Sequence, residues 1–273
     1  MKFFKIINSG SFATLLNDAS LLVFSENGNK FIAPDWYAKE LYPLLEVISQ
    51  NDFEDGQHIV LDENLNGEKE DFEEIVLDNL QIPPMYHGTD RKVLRMTDEQ
   101  RTIYKKKCCH LIDNIYPVLR KRYRQNGSWE ISKLGLGMKL ESCVIDALGC
   151  LDSRTNGNEN FQYPDNVLYL HSYRGCADSY AVRSFAGGEI GYIAYFLCQA
   201  VINMSVSEFH LDEETENAMQ KVLAFGNEGK YPVVITLNNL DFKFLRNENG
   251  SIITNLNFER KSYRYLKPII FES

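Results

Sequence analysis

The sequence lacks the features of a membrane, fibrous or repeat protein. It has no internal repeat, no low-complexity tract and no apolar run that could span a bilayer, which needs about 20 predominantly apolar residues. The segment between Glu189 and Glu208 carries no charge. It contains four polar side chains, at Gln199, Asn203, Ser205 and Ser207. We therefore predict a buried helix there, or a strand followed by a helix, and no membrane partner.

The sequence also lacks the signatures of disulfide crosslinks, metal sites and export signals. The six cysteines have neither the paired spacing of a disulfide framework nor the spacing of metal ligands. Cys108 and Cys109 are neighbours, so on a helix their side chains point apart and do not share a metal. The apolar start Met1–Ile7 ends at Asn8, too early for the apolar region of a signal peptide. We expect reduced thiols, no metal and a cytoplasmic location, and secretion without a classical signal stays open as an alternative.

Charge is present but unevenly distributed. The net charge is -9, yet the charged side chains of residues 52–78 are almost all acidic and those of residues 91–124 are mostly basic. The basic segment includes three consecutive lysines, Lys105, Lys106 and Lys107. Three interpretations stay open: a site for a polyanion, an acidic segment that covers the basic one, and two solvated faces.

The pattern predicts a small N-terminal unit, residues 1–80, and a larger domain, residues 81–273. Three short apolar runs in the first unit predict strands, at residues 3–7, 21–24 and 30–33, followed by a helix at residues 37–48. Pro83-Pro84 then marks an extended entry into the second domain.

The larger domain mixes helical and strand patterns, so the predicted fold class is α+β. Thr97 and Gln100 form a capping box at the start of a helix, which Pro117 should kink or restart. Two further helices are predicted at residues 139–148 and 213–224. Three strands are predicted at residues 231–237, 240–245 and 262–271, and Asn249-Gly250 predicts a hairpin turn.

One ordered set of residues carries most of the functional information. His87-Gly88-Thr89 opens the second domain, and Tyr169 lies much further along in a short predicted strand, residues 167–170. Tyr180 follows Tyr169 by eleven positions, and Glu259 precedes the C-terminal segment that contains Pro268. Each piece alone is a weak signal. Their order along the chain is the informative property.

This order resembles the His-Tyr-Glu signature of the ADP-ribosyltransferase superfamily, in its diphtheria-toxin-like and poly-ADP-ribose-polymerase-like branch. The resemblance covers residues 82–273 and implies a split mixed or antiparallel sheet with inserted helices. It implies NAD as the co-substrate, with His87 bonded to a ribose hydroxyl and Gly88 offering backbone groups to the carboxamide. Thr89 belongs to the same cofactor-binding tripeptide, while Tyr169 and Tyr180 hold the nicotinamide between their rings.

The resemblance also implies a catalytic glutamate. Loss of nicotinamide from NAD passes through an oxocarbenium-like state, which a nearby carboxylate stabilises. Glu259 fits that role best, because it lies shortly before the final predicted strand. Glu272 and Glu248 stay as alternatives. His87 and Tyr169 complete the implied catalytic set.

The sequence departs from the family between the histidine and the first tyrosine. About 80 residues intervene there and carry the basic helices. Lys105, Lys106 and Lys107 are candidate contacts to an acceptor, either RNA or DNA or a protein. The Arg-Ser-Glu-x-Glu pattern of arginine-modifying toxins is absent, and no automodification segment is recognisable, so transfer of a single ADP-ribose is expected.

Several roles are compatible with such a transferase. It resembles the toxin of a toxin–antitoxin or phage-defence system, which implies an inhibitory partner such as an antitoxin. An alternative is a catalytically silent ADP-ribosyltransferase fold that serves as a binding module. A phosphotransferase that removes a 2′-phosphate from RNA with NAD is a further alternative, although the basic and histidine residues that it requires are not found. Function does not follow from kinship of fold alone.

Overall fold

The structure is α+β and consists of two compact units. A computed structural model describes residues 2–16, 18–26, 28, 30–57, 80, 82–155, 167–204, 211–256, 258 and 261–267. Unit 1 comprises Met1–Tyr86, Asn166–Tyr173 and Thr236–Pro268. Unit 2 comprises His87–Asp165, Arg174–Ile235 and Ile269–Ser273. Helices and antiparallel sheets are both extensive, which confirms the predicted class.

Unit 1 begins with a five-stranded antiparallel sheet. Its strands are β1 (Phe3–Ile6), β2 (Phe12–Leu15), β3 (Leu21–Phe24), β4 (Lys30–Ile32) and β5 (Leu45–Ile48), in the order β4-β3-β2-β1-β5. Two helices accompany them, α1 (Asp35–Leu41) and α2 (Gln50–Gln57). The ring of Phe53 on α2 packs against those of Phe3, Phe12 and Phe24, at centroid distances of 4.9, 5.8 and 5.0 Å. These rings form the core of the sheet.

The predicted helix at residues 37–48 is only partly correct. Helix α1 ends at Leu41, a short 3₁₀ turn covers Tyr42–Leu44, and β5 follows. Pro43 lies in this turn, where it removes a backbone donor. Strand β5 pairs with the edge of β1, with Phe3 opposite Ile48. Pairing with another strand therefore overrides the helical pattern.

The remaining strands lie later in the chain. They are β6 (Met85–Asp90), β7 (Arg124–Gln125), β8 (Ser128–Trp129), β9 (Leu168–His171), β10 (Pro232–Leu237), β11 (Leu245–Asn247) and β12 (Ser262–Tyr265). Within unit 1, β9 pairs with β12 and β12 pairs with β11, both antiparallel. The first part of β6 joins β9 through Tyr86 and His171. This part of unit 1 is a second antiparallel sheet.

Unit 2 is largely helical. Its helices are α3 (Arg91–Leu94), α4 (Asp98–Tyr123), α5 (Met138–Thr155), α6 (Arg174–Arg183), α7 (Gly188–Ile202) and α8 (Glu213–Asn227). Helices α4, α5, α7 and α8 supply most of the buried core. Nine residues of α7 are buried, which confirms the predicted buried helix in the charge-free segment.

Helix α4 shows one correct and one wrong prediction. The Thr97–Gln100 capping box is present, with both reciprocal hydrogen bonds. The helix continues through Pro117 as one element to Tyr123, so of the predicted kink or restart at Pro117, the restart is wrong. Buried residues on both sides of Pro117 pack in the core, and this packing offsets the loss of one backbone donor. Asn126 and Gly127, both with positive φ, then form the turn between β7 and β8.

The C-terminal strands are shorter than predicted. Strand β10 confirms the prediction at residues 231–237. The predicted strand at 240–245 is instead a 3₁₀ turn, Phe242–Phe244, followed by β11. The turn at Asn249-Gly250 is present, with Gly250 donating its N–H to the carbonyl of Asn247 (2.8 Å). Only Ser262–Tyr265 of the predicted strand 262–271 is described as a strand.

The N-terminal segment and the C-terminal segment belong to one compact unit, unlike the predicted division at residue 80. The buried hydroxyl of Tyr37 donates a hydrogen bond to the carbonyl of Ile253 (2.5 Å). The guanidinium of Arg246 bonds both carboxylate oxygens of Glu40 (2.8 and 2.7 Å). These contacts join α1 to the segment that follows β10, so residues 1–80 are only part of a unit.

No single helix among the described residues has the length and hydropathy needed to cross a bilayer. The segments Arg174–Ala186 and Gly188–Ile202 reach that length and hydropathy only as a combined pair, bent by 50°.

Candidate functional site

The predicted tripeptide lies in strand β6. His87 is half-buried, whereas Gly88 and Thr89 are buried, Thr89 with only 4% of its surface exposed. Asp90 ends the strand and is fully buried. Its carboxylate accepts hydrogen bonds from the backbone N–H groups of Lys92 (2.9 Å) and Tyr231 (2.7 Å). These bonds fix the end of the strand that presents His87.

Gly88 lies in close contact with the backbone of α6. A Cβ atom at this position would lie 2.0 Å from the carbonyl oxygen of Ala177 and 2.7 Å from the backbone nitrogen of Ala181. Both neighbours are backbone atoms of a helix, so they cannot move aside as a flexible side chain can. The position therefore requires glycine. The contact also places α6, which carries the partly exposed Tyr180, directly against the tripeptide.

Tyr169 lies in β9, in unit 1. It is opposite Arg264 of β12 in the antiparallel register, and the Arg264 guanidinium lies 5.5 Å from the centre of the Tyr169 ring. His171, two positions later on the same face of β9, is buried, and its Nδ1 is 3.0 Å from the hydroxyl of Ser262. Strand β9 is thus held on one side by β12 and on the other by Tyr86 of β6.

Of the three candidate glutamates, only Glu248 belongs to the described residues. Glu259 and Glu272 lie outside the described residues. Glu259 precedes Lys261, whose N–H donates to the Ser172 hydroxyl (2.9 Å) and whose carbonyl accepts from the Ser172 N–H (3.0 Å). Glu248 is exposed in the turn after β11. Lys261, the residue before β12, is therefore attached to the residue that follows β9.

The three predicted acceptor-binding lysines differ in their surroundings. Lys105 is half-buried, Lys106 is exposed, and Lys107 is half-buried on the side of α4 that faces α8. Lys106 and Lys107 line a cleft of about 840 Å³ between these helices. The other polar residues of the cleft are His110, Asp212, Glu213, Glu214 and Asn217. Opposite charges therefore face each other across the cleft, which disfavours a long, uniformly negative ligand.

The start of α8 is tied to α4 by one histidine. The Nε2 of His110 lies 3.0 Å from the hydroxyl of Thr215. Asp212 caps α8 by accepting from the Thr215 N–H (2.7 Å), and this hydrogen bond lowers the pKa of the Asp212 carboxyl. Burial raises the pKa of Asp113, one helical turn beyond His110. The acidic wall of the cleft is therefore ionised at neutral pH at Asp212.

Lys107 also lines a second, smaller cleft of about 290 Å³, together with Lys221 of α8. Contact with the Lys221 ammonium lowers the pKa of Lys107, and partial burial and the positive charge of Lys221 act in the same direction. Gln100 and Tyr104 line the same cleft. The two ammonium groups therefore repel each other beside this cleft.

Cysteine and metal chemistry find no support in the described part of the chain. No group of three or more His, Cys, Asp or Glu side chains there could hold a metal ion. Cys108 and Cys198 are buried, and burial raises the pKa of the Cys198 thiol to about 12. A thiol with such a pKa is protonated and unreactive at neutral pH.

Two residues close to the predicted sites were missed by sequence reasoning. Arg264 alternates with buried tyrosines, which is a strand pattern. The pattern does not give the register with β9, so it could not show that Arg264 and Tyr169 share a face. Lys221 lies in a predicted helix, but its approach to Lys107 depends on how α4 and α8 pack. Both contacts depend on tertiary structure, which local sequence patterns do not give.

The comparisons with known proteins supply no relative. No protein-family model, curated protein or solved structure matches the chain.

Proposed function

We propose that this protein is an NAD-dependent mono-ADP-ribosyltransferase with the split-sheet fold of that superfamily. One observation carries the proposal. In unit 1, the strand that leads into His87, the strand that contains Tyr169 and the strand that follows Glu259 are neighbours in one sheet, in the order β6-β9-β12. Three strands that are distant in sequence are therefore adjacent in one sheet, and each belongs to a segment that carries part of the predicted signature.

The contact of β6 with α6 gives independent support from unit 2. The nicotinamide pocket of such an enzyme needs an aromatic ring beside the backbone of the tripeptide. Gly88 allows α6 to approach the strand at van der Waals distance, and α6 carries Tyr180. An aromatic face held near a backbone donor and acceptor suits a flat ring with a carboxamide.

The chemistry follows from the assigned roles. His87 holds a ribose hydroxyl of NAD, and the backbone of Gly88 bonds the carboxamide, so the nicotinamide leaves in a fixed direction. The carboxylate of Glu259 stabilises the positive charge that develops on the ribose as the glycosidic bond breaks. The acceptor then attacks the ribose carbon and one ADP-ribose is transferred. We propose a macromolecular acceptor, nucleic acid or protein, and a toxin-like role with an inhibitory partner.

The first test uses NAD labelled in its adenylate part. The protein is incubated with labelled NAD and cell lysate, and the products are divided between nuclease and protease treatment. Label that is lost with nuclease identifies a nucleic-acid acceptor, and label that is lost with protease identifies a protein acceptor. Absence of both transfer and nicotinamide release would contradict the proposal.

Three variants then test the assignment of roles. His87→Ala and Glu259→Gln should each lower transfer at least about 100-fold, as loss of a group that acts in the transition state does. Glu272→Gln is the matched control and should retain activity. Equal losses at the two glutamates would refute the assignment of Glu259.

A second candidate is a catalytically silent fold that binds its ligand or partner without reaction. The burial of Gly88 and Thr89 favours it, because packing alone accounts for two of the three residues of the tripeptide. Calorimetric binding of NAD without release of nicotinamide would support this candidate.

A further inference from the structure

Arg264 has surroundings unlike those of the other arginine in its row of the sheet. On β12 it lies between Tyr169 of β9 and Arg246 of β11, each directly opposite it in the register. Directly opposed residues of an antiparallel sheet project from the same face. Tyr169, Arg264 and Arg246 therefore form one row on one face of unit 1.

Both terminal nitrogens of Arg246 are bonded to acceptors within the protein. It donates to both carboxylate oxygens of Glu40, at 2.8 and 2.7 Å, and to the carbonyls of Lys243 and Leu245, at 2.8 Å each. Its charge is balanced by Glu40, and most of its donors have acceptors. Arg246 thus holds α1 against β11 and has no capacity for another anion.

Arg264 is the opposite case. Its Nε is buried and has no hydrogen-bond partner among the described residues, and no carboxylate in the described ranges forms an ion pair with it. A buried donor of a charged group that lacks an acceptor is costly. The stacking of the guanidinium near the Tyr169 ring (5.5 Å) offsets only part of that cost. An added anion would satisfy it.

The space beside the guanidinium is kept open by a glycine. A Cβ atom at Gly250 would lie 3.1 Å from Nη1 of Arg264, in contact with the edge from which that group donates. Gly250 also has a φ of 87°, which few other residues adopt readily. The turn after β11 therefore approaches Arg264 without covering its donors by a side chain.

We propose that Arg264 binds the pyrophosphate of a dinucleotide whose flat base lies near Tyr169. This inference rests on the proposed function, which places nicotinamide at Tyr169. In NAD the pyrophosphate is one ribose away from the nicotinamide. A cation beside the nicotinamide ring is therefore within reach of the pyrophosphate. The planar guanidinium bonds phosphate oxygens in pairs, which the point charge of a lysine does not.

Calorimetry with four probes tests the site: NAD, ADP-ribose, inorganic pyrophosphate and nicotinamide. Arg264→Gln should weaken binding of the first three at least about tenfold and leave nicotinamide binding unchanged. Lys243→Gln is the matched control, since it removes the same charge from an exposed position in the same unit. Unchanged ADP-ribose and pyrophosphate binding by Arg264→Gln would overturn the inference.

A second variant covers the case in which Arg264→Gln does not fold, as judged by its circular dichroism and melting temperature. Arg264→Lys keeps the charge and the aliphatic stem but loses the paired donors. Its affinity for pyrophosphate should also fall, but by a smaller factor than in Arg264→Gln. That factor should increase less with added salt than the factor for Arg264→Gln. Affinity equal to that of the unmodified protein would likewise overturn the inference.

The outcomes separate this inference from the function on which it rests. Pyrophosphate binding that depends on Arg264, without any binding of NAD, would refute the proposed function and retain an anion site. NAD binding that is indifferent to Arg264 would refute the site and retain the function. If the unmodified protein binds neither NAD nor pyrophosphate, both the site and the proposed function are refuted.

Discussion

Two contacts within unit 2 show opposite ways in which neighbouring elements meet. At Gly88, β6 and α6 meet backbone to backbone with no space for a methyl group. At Lys107, α4 and α8 meet through long side chains of like charge at the edge of two clefts. The first contact fixes the position of a motif, while the second leaves side chains able to move. A residue of a recognisable tripeptide can therefore be required for packing. The role of a run of lysines depends on the residues that surround them in the fold.

The largest expected effect breaks the backbone contact. Gly88→Ala would place Cβ 2.0 Å from the carbonyl oxygen of Ala177, and separating β6 from α6 should cost about 3 kcal/mol. Chemical denaturation measures the change. The matched control is Gly149→Ala in α5, where a Cβ meets nothing within 4 Å. It should stabilise the protein by about 0.5–1 kcal/mol, because alanine favours a helix over glycine.

The second effect concerns the carboxylate that ends the same strand. In Asp90→Asn, one oxygen that accepts from a backbone N–H becomes a donor, so a buried N–H of Lys92 or Tyr231 loses its acceptor. We expect a loss of about 1–3 kcal/mol in the free energy of unfolding. Asp241→Asn is the control, since Asp241 caps an exposed turn by accepting from Lys243 (3.0 Å). Equal losses would mean that burial of Asp90 is unimportant.

These two contacts also mark the limit of prediction from sequence. The capping box at Thr97, the buried helix α7 and strand β10 follow local patterns, and the structure confirms them. Strand β5 was missed because its pairing with β1 outweighs a helical pattern. The tripeptide could be located on a strand, but the need for glycine at Gly88 arises from α6, which is distant in sequence.

The third prediction tests the side-chain contact through function. Lys106→Gln with Lys107→Gln should weaken transfer to a nucleic-acid acceptor several-fold and reduce its salt dependence, while NAD hydrolysis stays unchanged. Lys105 is left intact because it lines neither of the two clefts. Lys121→Gln with Arg122→Gln removes the same charge from an exposed part of α4 and serves as the control. Equal transfer by both double variants would show that Lys106 and Lys107 do not contact the acceptor and are only solvated.

The smallest effect concerns stability and pH. The pKa of Lys107 is lowered by its contact with Lys221, so the folded chain binds fewer protons than the unfolded chain between the lowered and the ordinary lysine pKa. Stability should therefore rise slightly with pH through that alkaline window. Lys221→Gln should remove this slope and raise stability slightly at neutral pH, because it removes one of two neighbouring like charges. A steeper slope in the variant would contradict the expected repulsion.

The hydrogen bond from Tyr37 to Ile253 has a consequence for synthesis of the protein. The two residues are 216 positions apart, and a ribosome adds roughly 5–20 residues per second. Tyr37 therefore leaves the ribosome roughly 10–40 s before its acceptor is made. Unit 1, which holds Tyr169 and Arg264, cannot close until most of the chain has been translated.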